Sequence, residues 1–333
     1  MANVTSPEGV IVTSGFTPAW WCRGAHCQTL WPYLFRRSPR LAYERERVEL
    51  PDGDFIDIDW CGPVSGHVVL ILHGLEGCSQ SHYARGLSST LTIHQFRSAI
   101  VHFRGCSGEP NRLVRSYHSG ETRDLATLVG ILEARGDTPF AVVGYSLGGN
   151  VLLKWLGETG TTRVSKAVAV SVPFLLGECA ARLERGMSRL YQWRLLQRMR
   201  RSVAVKFHRR NALIDVDAVA HARTLREFDD LVTAPLHGFS GSAEYYASSS
   251  CRQFLHGIRT PTLILNARDD PFITQSVLPE RHELAPEVRL EISDAGGHVG
   301  FIAGKSPYRP WYWLDWRIFR YLQVDQAPIM PQA

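Results

Sequence analysis

The sequence predicts an α/β protein with a mostly parallel central sheet and helices on both of its faces. Apolar, β-branched runs recur along the chain and alternate with segments of helical periodicity. The central runs are almost continuously apolar, which is typical of strands covered on both sides. The turn Pro51-Asp52-Gly53-Asp54 separates the first two runs and predicts an antiparallel hairpin at the start of the sheet.

The order of the elements follows from these runs. The predicted strands are Val48–Leu50, Phe55–Trp60, Val68–His73, Ser98–Phe103, Phe140–Tyr145, Lys166–Val172, Thr262–Ala267 and Val288–Ile292. The predicted helices lie around Tyr83–Ile93, Glu121–Ala134 and Asn150–Gly157. Ser119 precedes the second of these helices, and we expect its side chain to cap that helix.

Two regions fall outside the alternation of strands and helices. Residues 1–45 carry several tryptophans among prolines and arginines, which predicts an N-terminal arm packed on the core. Residues 174–256 separate two strands of the sheet, and we interpret them as a helical cap inserted into a core of 46–173 and 257–333. Apolar residues at three- and four-residue spacing within the cap predict one amphipathic helix with its apolar stripe toward the core. That stripe consists of Leu183, Met187, Leu190, Trp193, Leu196, Met199 and Val203.

Composition excludes several classes of protein. The chain has 333 residues with 44% hydrophobic residues, and no repeat, bilayer-spanning apolar run or secretory signal is visible. A net charge of +5 at this length does not indicate a nucleic-acid partner. The seven scattered cysteines contain no C-x-x-C pair, which argues against a disulfide framework or a zinc site. We therefore expect a cytoplasmic globular protein without metal or cofactor.

Positive charge is concentrated in one part of the cap. Residues 182–210 contain nine arginines and Lys206 against a single acidic residue, Glu184. Two interpretations stay open: a solvated helix face, or a contact with an anionic membrane surface.

The strongest motif is Gly144-Tyr145-Ser146-Leu147-Gly148, which has the G-x-S-x-G pattern. A predicted strand precedes it and a helical pattern follows it. This context is that of a nucleophile elbow, a tight turn that exposes a serine Oγ at a helix N-terminus. Ser146 is therefore the candidate nucleophile.

A serine nucleophile needs a base and an acid that orients the base. In proteins with such an elbow, the acid and then the histidine come after the serine in the chain, and each lies on a loop after a later strand. His298 follows the last predicted strand within Asp294-Ala295-Gly296-Gly297-His298, and it is the candidate base. Asp269 and Asp270 both follow the preceding strand. The acid usually stands three residues after the small residue that closes its strand, here Ala267, and this spacing favours Asp270.

An oxyanion hole would complete the site. One donor is the backbone N–H of Leu147, directly after the serine. The second is the N–H of Leu75 in His73-Gly74-Leu75-Glu76-Gly77, which follows an early strand and has the H-G-x-x-G form.

Together these residues resemble the α/β-hydrolase superfamily and, within it, the YheT-like esterases, which are related to mammalian ABHD-type lipid hydrolases. The resemblance covers most of the chain and implies a serine hydrolase with Ser146, Asp270 and His298 as its triad. The loop Arg104–Glu109 is distinctive of that family, and its glycines are consistent either with lining a pocket or with a structural connection. The matching segments are Pro18–Leu30, His73–Gly77, Phe103–Glu109, Tyr117–Glu121 and Asn266–Phe272.

The predicted function is hydrolysis of carboxylic esters through an acyl-enzyme, with short- to medium-chain or lipid-like esters as substrates. An acyltransferase would use the same residues but pass the acyl group to an alcohol other than water. A non-catalytic lipid-binding protein on the same scaffold is the alternative of a different class. We expect no nucleic-acid partner.

Overall fold

A computed structural model describes residues 8–37, 39–208 and 213–323. Its centre is a nine-stranded sheet with the strand order β1-β9-β8-β7-β6-β4-β5-β3-β2. The pairs β2–β3 and β3–β5 are antiparallel and all other neighbours are parallel. The strands are β1 Val10–Thr13, β2 Glu44–Glu49, β3 Phe55–Cys61, β4 Val68–Leu72, β5 Arg97–His102, β6 Ala141–Tyr145, β7 Lys166–Val170, β8 Thr262–Ala267 and β9 Val288–Ser293. A separate antiparallel hairpin consists of β10 Ile302–Ser306 and β11 Arg309–Tyr312.

Helices cover both faces of this sheet, and the predicted α/β-hydrolase architecture is confirmed. Helices α3 and α4 bury their apolar residues on one face, whereas α2 and α11 do so on the other. The core helices are α2 His82–Ile93, α3 Arg123–Ala134, α4 Leu147–Thr159 and α11 Trp313–Leu322. The remaining helices are α1 Ala25–Phe35, α5 Leu176–Leu183, α6 Ser188–Phe207, α7 Val216–His221, α8 Leu225–Phe228, α9 Ala234–His237 and α10 Ser242–Ser249, with a π-helix at Asp229–Thr233 and 3₁₀ turns at Cys251–Gly257, Gln275–Val277 and Arg281–Glu283.

The N-terminal arm does more than pack on the core. Its strand β1 pairs in parallel with β9, with Val10 opposite Arg289, and thereby forms an edge of the sheet. Helix α1 then carries Gln28, whose side-chain amide donates to the carbonyls of Cys22 and Ile302 and accepts from the Ile302 N–H. The arm is therefore joined to the segment that follows the last strand of the sheet.

Two local predictions were wrong. Helix α3 begins at Arg123, and Ser119 is too far upstream to cap it; instead, Glu121 Oε1 accepts the N–H of Arg123 at 3.1 Å. The predicted amphipathic stripe is divided between α5 and α6. Its second half is buried in the cap, but Met187, Leu190 and Trp193 are exposed, because nothing among the described residues covers that side of the start of α6.

The cap helices α5–α10 lie between β7 and β8 and have an apolar cluster of their own. Leu75 and Phe272, which follow β4 and β8, pack against that cluster. The cap therefore meets the sheet at the carboxyl ends of its strands. Arg209 and Arg210 of the basic stretch lie outside the described residues.

The loop after β5 is fixed by a buried ion network. The Arg104 guanidinium contacts Asp52, Asp54 and Asp124 at 2.9, 2.8 and 2.6 Å, and its own side chain is buried. A buried charge is tolerated only with such partners. Arg104 is therefore a structural residue rather than part of a pocket wall.

All seven cysteines are free thiols, and the Sγ atoms of Cys22 and Cys27 are 2.9 Å apart. Among the described residues, no helix combines the length and the apolarity needed to cross a bilayer.

Candidate active site

Ser146 occupies a strained turn between β6 and α4. Its φ of 52° and ψ of −117° lie in a region that side chains rarely adopt, which is expected for an elbow that presents its side chain above the sheet. A Cβ added to Gly144 would lie 2.4 Å from the Gly148 carbonyl oxygen, and one added to Gly148 would lie 2.5 Å from that of Leu72. Both glycines are therefore required by close backbone approach, as the motif predicts.

The structure brings Ser146, His298 and Asp270 together in one hydrogen-bonded chain. Ser146 Oγ lies 3.0 Å from His298 Nε2, and His298 Nδ1 lies 2.8 Å from Asp270 Oδ2. The Asp270 carboxylate is fully buried, and its Oδ1 accepts the N–H of Phe272 at 2.8 Å. Asp269 faces elsewhere: its Oδ1 accepts the Gly297 N–H at 2.9 Å, and burial raises the pKa of its carboxyl.

The N-terminal arm holds the loop that carries His298. Thr29 Oγ1 accepts the His298 N–H at 2.9 Å and donates to the Ala25 carbonyl at 2.7 Å. Gly297 has a φ of 59°, and a Cβ there would lie 2.5 Å from that same carbonyl oxygen. The Phe272 ring stacks on the imidazole with a centroid distance of 4.0 Å. No local sequence pattern indicates this role of Thr29, although Thr29 lies in the arm segment that carries the family resemblance.

The loop after β4 and the start of α4 each provide a backbone amide near Ser146. A Cβ on Gly74 would lie 3.3 Å from Ser146 Cβ, so the loop passes directly beside the serine. No described residue accepts a hydrogen bond from the N–H of Leu75. Leu147 is the first residue of α4, where an amide has no acceptor within its own helix. Neither amide has an acceptor among the described residues, and an oxyanion donor needs this freedom.

Two tyrosines fix the conformation of this loop. Tyr83 Oη accepts the Gly74 N–H at 2.9 Å. Tyr117 Oη accepts the Glu76 N–H at 2.9 Å and donates to Glu76 Oε1 at 3.0 Å. Glu76 itself has a positive φ of 55°, so these hydrogen bonds hold the loop in a backbone conformation that a non-glycine residue rarely adopts.

Comparisons with known proteins identify the family to which this fold belongs. A family model described as the alpha/beta hydrolase fold matches residues 67–305. The chain belongs to the α/β-hydrolase family. Among solved structures, an esterase from Pyrococcus furiosus matches with a TM-score of 0.54 and 17% identity over 90% of this chain and 91% of that one, a likeness that shows the shared fold.

Several curated relatives of this α/β hydrolase are esterases or lipases by name. YheT from Escherichia coli K12, provisionally named an esterase, is 40% identical and covers 96% of each chain. Bovine phospholipase ABHD3 is 31% identical over 96% of this chain and 80% of its own length. The monoacylglycerol lipase of Saccharomyces cerevisiae is 31% identical over 79% of this chain and 60% of its own. The chain is a hydrolase of the esterase and lipase class.

The other histidines that end strands of the hydrolase core have structural roles. His73 is fully buried, which lowers its pKa to about 3, and its Nε2 accepts the Phe103 N–H at 3.2 Å. His102 Nε2 pairs with the buried Asp59 at 2.8 Å. Neither is hydrogen-bonded to Ser146.

One group of residues between core and cap has metal-ligand types. His118, Glu121 and His237 place donor atoms within 4.8 Å of one another. However, the Gly120 N–H donates to His118 Nδ1, which puts the proton of the neutral ring on Nε2, the atom that faces Glu121. Glu121 Oε2 is also paired with Arg115 at 2.8 Å. This arrangement fits a polar contact between cap and core better than a metal site.

Proposed function

We propose that this hydrolase cleaves carboxylic esters through a catalytic triad of Ser146, His298 and Asp270 and an acyl-enzyme intermediate. The observation that carries the proposal is the continuous chain of two hydrogen bonds, of 3.0 and 2.8 Å, from Ser146 Oγ through the imidazole to Asp270. A serine hydroxyl is unreactive alone, and an oriented imidazole is what activates it.

In the first half of the reaction, Ser146 Oγ attacks the ester carbonyl carbon while its proton moves to His298 Nε2. Asp270 holds the Nδ1–H and stabilises the imidazolium that forms. The oxyanion of the tetrahedral intermediate accepts hydrogen bonds from the N–H groups of Leu75 and Leu147. Collapse of this intermediate breaks the C–O bond, and the departing alcohol takes the proton from His298.

In the second half, a water molecule attacks the acyl-enzyme while His298 takes its proton. A second tetrahedral intermediate collapses, the carboxylic acid leaves and Ser146 recovers its proton. Apart from the attacking water, these steps use side chains and backbone amides of the chain itself.

Short- to medium-chain or lipid-like esters are the proposed substrates. The apolar packing of Leu75 and Phe272 against the cap cluster supports an apolar acyl group next to the reacting carbon. Relatives that are named a phospholipase and a monoacylglycerol lipase support a lipid-like substrate. The cytoplasmic location stays a prediction.

A fluorophosphonate and a series of p-nitrophenyl esters of increasing chain length test the proposal. Ser146→Ala should lose labelling and about 10⁴–10⁶-fold in kcat. Ser248→Ala, which changes an exposed serine of the cap, should match the wild type. Labelling that persists on Ser146→Ala would overturn the assignment. If added alcohols divert the acyl group from water, the enzyme is an acyltransferase instead.

A further inference from the structure

Six large apolar side chains are exposed on α1 and at the start of α6. From Met187, which directly precedes α6, they recur at every third position along one side of the helix, and each is between 58 and 60% exposed. On α1 the exposed side chains are consecutive and end the helix, with 47 to 59% exposure. A cluster of apolar side chains on a water-exposed surface indicates a binding site for a membrane or for another molecule. The docking face, as we call it, consists of Tyr33, Leu34, Phe35, Met187, Leu190 and Trp193.

The two helices are in contact, so the two groups of exposed side chains lie on neighbouring parts of the surface. Tyr191 Oη of α6 lies 2.9 Å from His26 Nδ1 of α1, and the Arg194 guanidinium lies 4.7 Å from the centre of the Tyr33 ring. Below that contact, the Tyr191 ring lies 5.0 Å from the ring of Phe272, which stacks on His298. The docking face is therefore separated from the proposed catalytic base by two aromatic rings.

The same surface is strongly basic. Helix α6 has no Asp or Glu between Ser188 and Phe207 but carries five arginines and one lysine. Arg189 of α6 and Arg223 line a shallow depression together with Met187, Leu190 and Trp193. Within residues 8–37, 39–208 and 213–323, Arg189 and Arg223 form hydrogen bonds through their backbone N–H groups only, and neither guanidinium group has an ion pair or a hydrogen bond. Two unpaired guanidinium groups beside exposed apolar side chains are complementary to a lipid surface, where phosphate headgroups lie next to hydrocarbon chains.

We propose that the docking face binds an anionic lipid bilayer and so brings lipid-like esters to the active site. A second copy of the chain fits less well, because a two-fold contact through α6 would place its arginines against one another. An anionic bilayer accepts both the apolar side chains and the positive charge. The substrate part of this inference rests on the proposed ester hydrolysis, whereas the binding itself does not.

Co-sedimentation with vesicles tests the proposal. Wild-type protein should bind vesicles of equal parts phosphatidylcholine and phosphatidylglycerol, less at high salt, and should bind pure phosphatidylcholine at least about tenfold more weakly. The double variant Leu190→Ser/Trp193→Ser and the double variant Arg189→Gln/Arg223→Gln should each weaken binding about tenfold or more. Ser146→Ala should bind like the wild type, which separates binding from catalysis.

Matched controls come from the amino ends of the sheet strands, opposite the carboxyl ends that the cap meets. Val64 and Arg163 are exposed in the loops before β4 and β7, so Val64→Ser and Arg163→Gln should leave vesicle binding unchanged. All docking-face variants should hydrolyse water-soluble p-nitrophenyl acetate at the wild-type rate. If Ser146→Ala loses hydrolysis of p-nitrophenyl acetate but still binds the vesicles, both proposals are supported. If the wild type binds the vesicles but hydrolyses no ester, only the proposed function is overturned.

Three results would overturn the docking proposal. The first is a wild type that does not bind the anionic vesicles even at low salt. The second is binding that the docking-face variants retain. The third is a concentration-dependent dimer, seen by analytical ultracentrifugation, that these variants abolish while vesicles do not bind; the face would then be an interface between copies of the chain.

Discussion

Asp270→Asn is the sharpest test of the triad, because the structure fixes how an asparagine would sit there. In the wild type, Asp270 Oδ1 accepts the Phe272 N–H at 2.8 Å and Oδ2 faces His298 Nδ1 at 2.8 Å. An asparagine must keep its oxygen toward the Phe272 N–H, so its NH₂ group faces the imidazole. His298 Nδ1 then accepts a hydrogen bond and the ring proton moves to Nε2. An Nε2 that carries a proton cannot take one from Ser146.

The expected loss in kcat is about 10⁴-fold, which corresponds to about 5.5 kcal/mol in activation free energy. Folding should be almost unaffected, since the replacement has the same shape. Asp269→Asn is the matched control: it keeps an oxygen for the Gly297 N–H and should lose less than about tenfold. Initial rates on p-nitrophenyl acetate, with melting temperatures of all three proteins, decide the comparison. If Asp269→Asn were the more damaged variant, Asp269 would be the orienting acid and the tautomer argument would be refuted.

Three further predictions concern the loop, the elbow and the cap. Tyr117→Phe removes the hydroxyl that binds both the N–H and the carboxylate of Glu76, so kcat on soluble esters should fall about tenfold while KM stays unchanged. An unchanged kcat would contradict the role of this tyrosine in holding the loop. Gly148→Ala should lower the free energy of unfolding in urea by about 1–3 kcal/mol, because the added Cβ would lie 2.5 Å from the Leu72 carbonyl oxygen. Gly130→Ala, where the added Cβ on α3 would meet open space, should not lower it, and equal effects of the two variants would contradict the packing argument. Burial lowers the pKa of His237 to about 4, so between about pH 6.5 and 4 the folded state binds fewer protons than the unfolded state, and the free energy of unfolding falls as the pH drops. Urea unfolding at pH 7 and 4.5 should show this fall reduced by up to about 3 kcal/mol in His237→Asn, and an identical pH dependence of both proteins would contradict the argument.

The strands of the sheet were predictable because parallel strands that are covered on both faces need continuous apolar runs. Val68–Leu72 and Thr262–Ala267 illustrate this: every residue in both strands is buried. The serine elbow was predictable for a similar local reason. Its tight turn demands small residues at fixed positions, and Gly144 and Gly148 therefore appear in the sequence itself.

The arm shows what local patterns cannot reveal. Its strand β1 pairs with β9 across more than 270 positions of the chain, and such a pairing leaves no periodic signal in a four-residue segment. Thr29 contacts the N–H of His298 over a similar separation. The sequence indicated an apolar arm, but only the folded chain shows that this arm supports the loop of the candidate base.

The sequence by itself determined the order along the chain of eight of the nine sheet strands, the position of Ser146 at the elbow and the choice of His298 after the last strand. It favoured Asp270 over Asp269 by spacing, but both carboxylates follow the same strand, and only their directions in space separate them. It also predicted that the stripe through Leu190 would be buried, because periodicity shows which side chains share a helix face and not whether another element covers that face. Those outcomes depend on contacts between residues far apart in the chain, and the tertiary structure alone decides them.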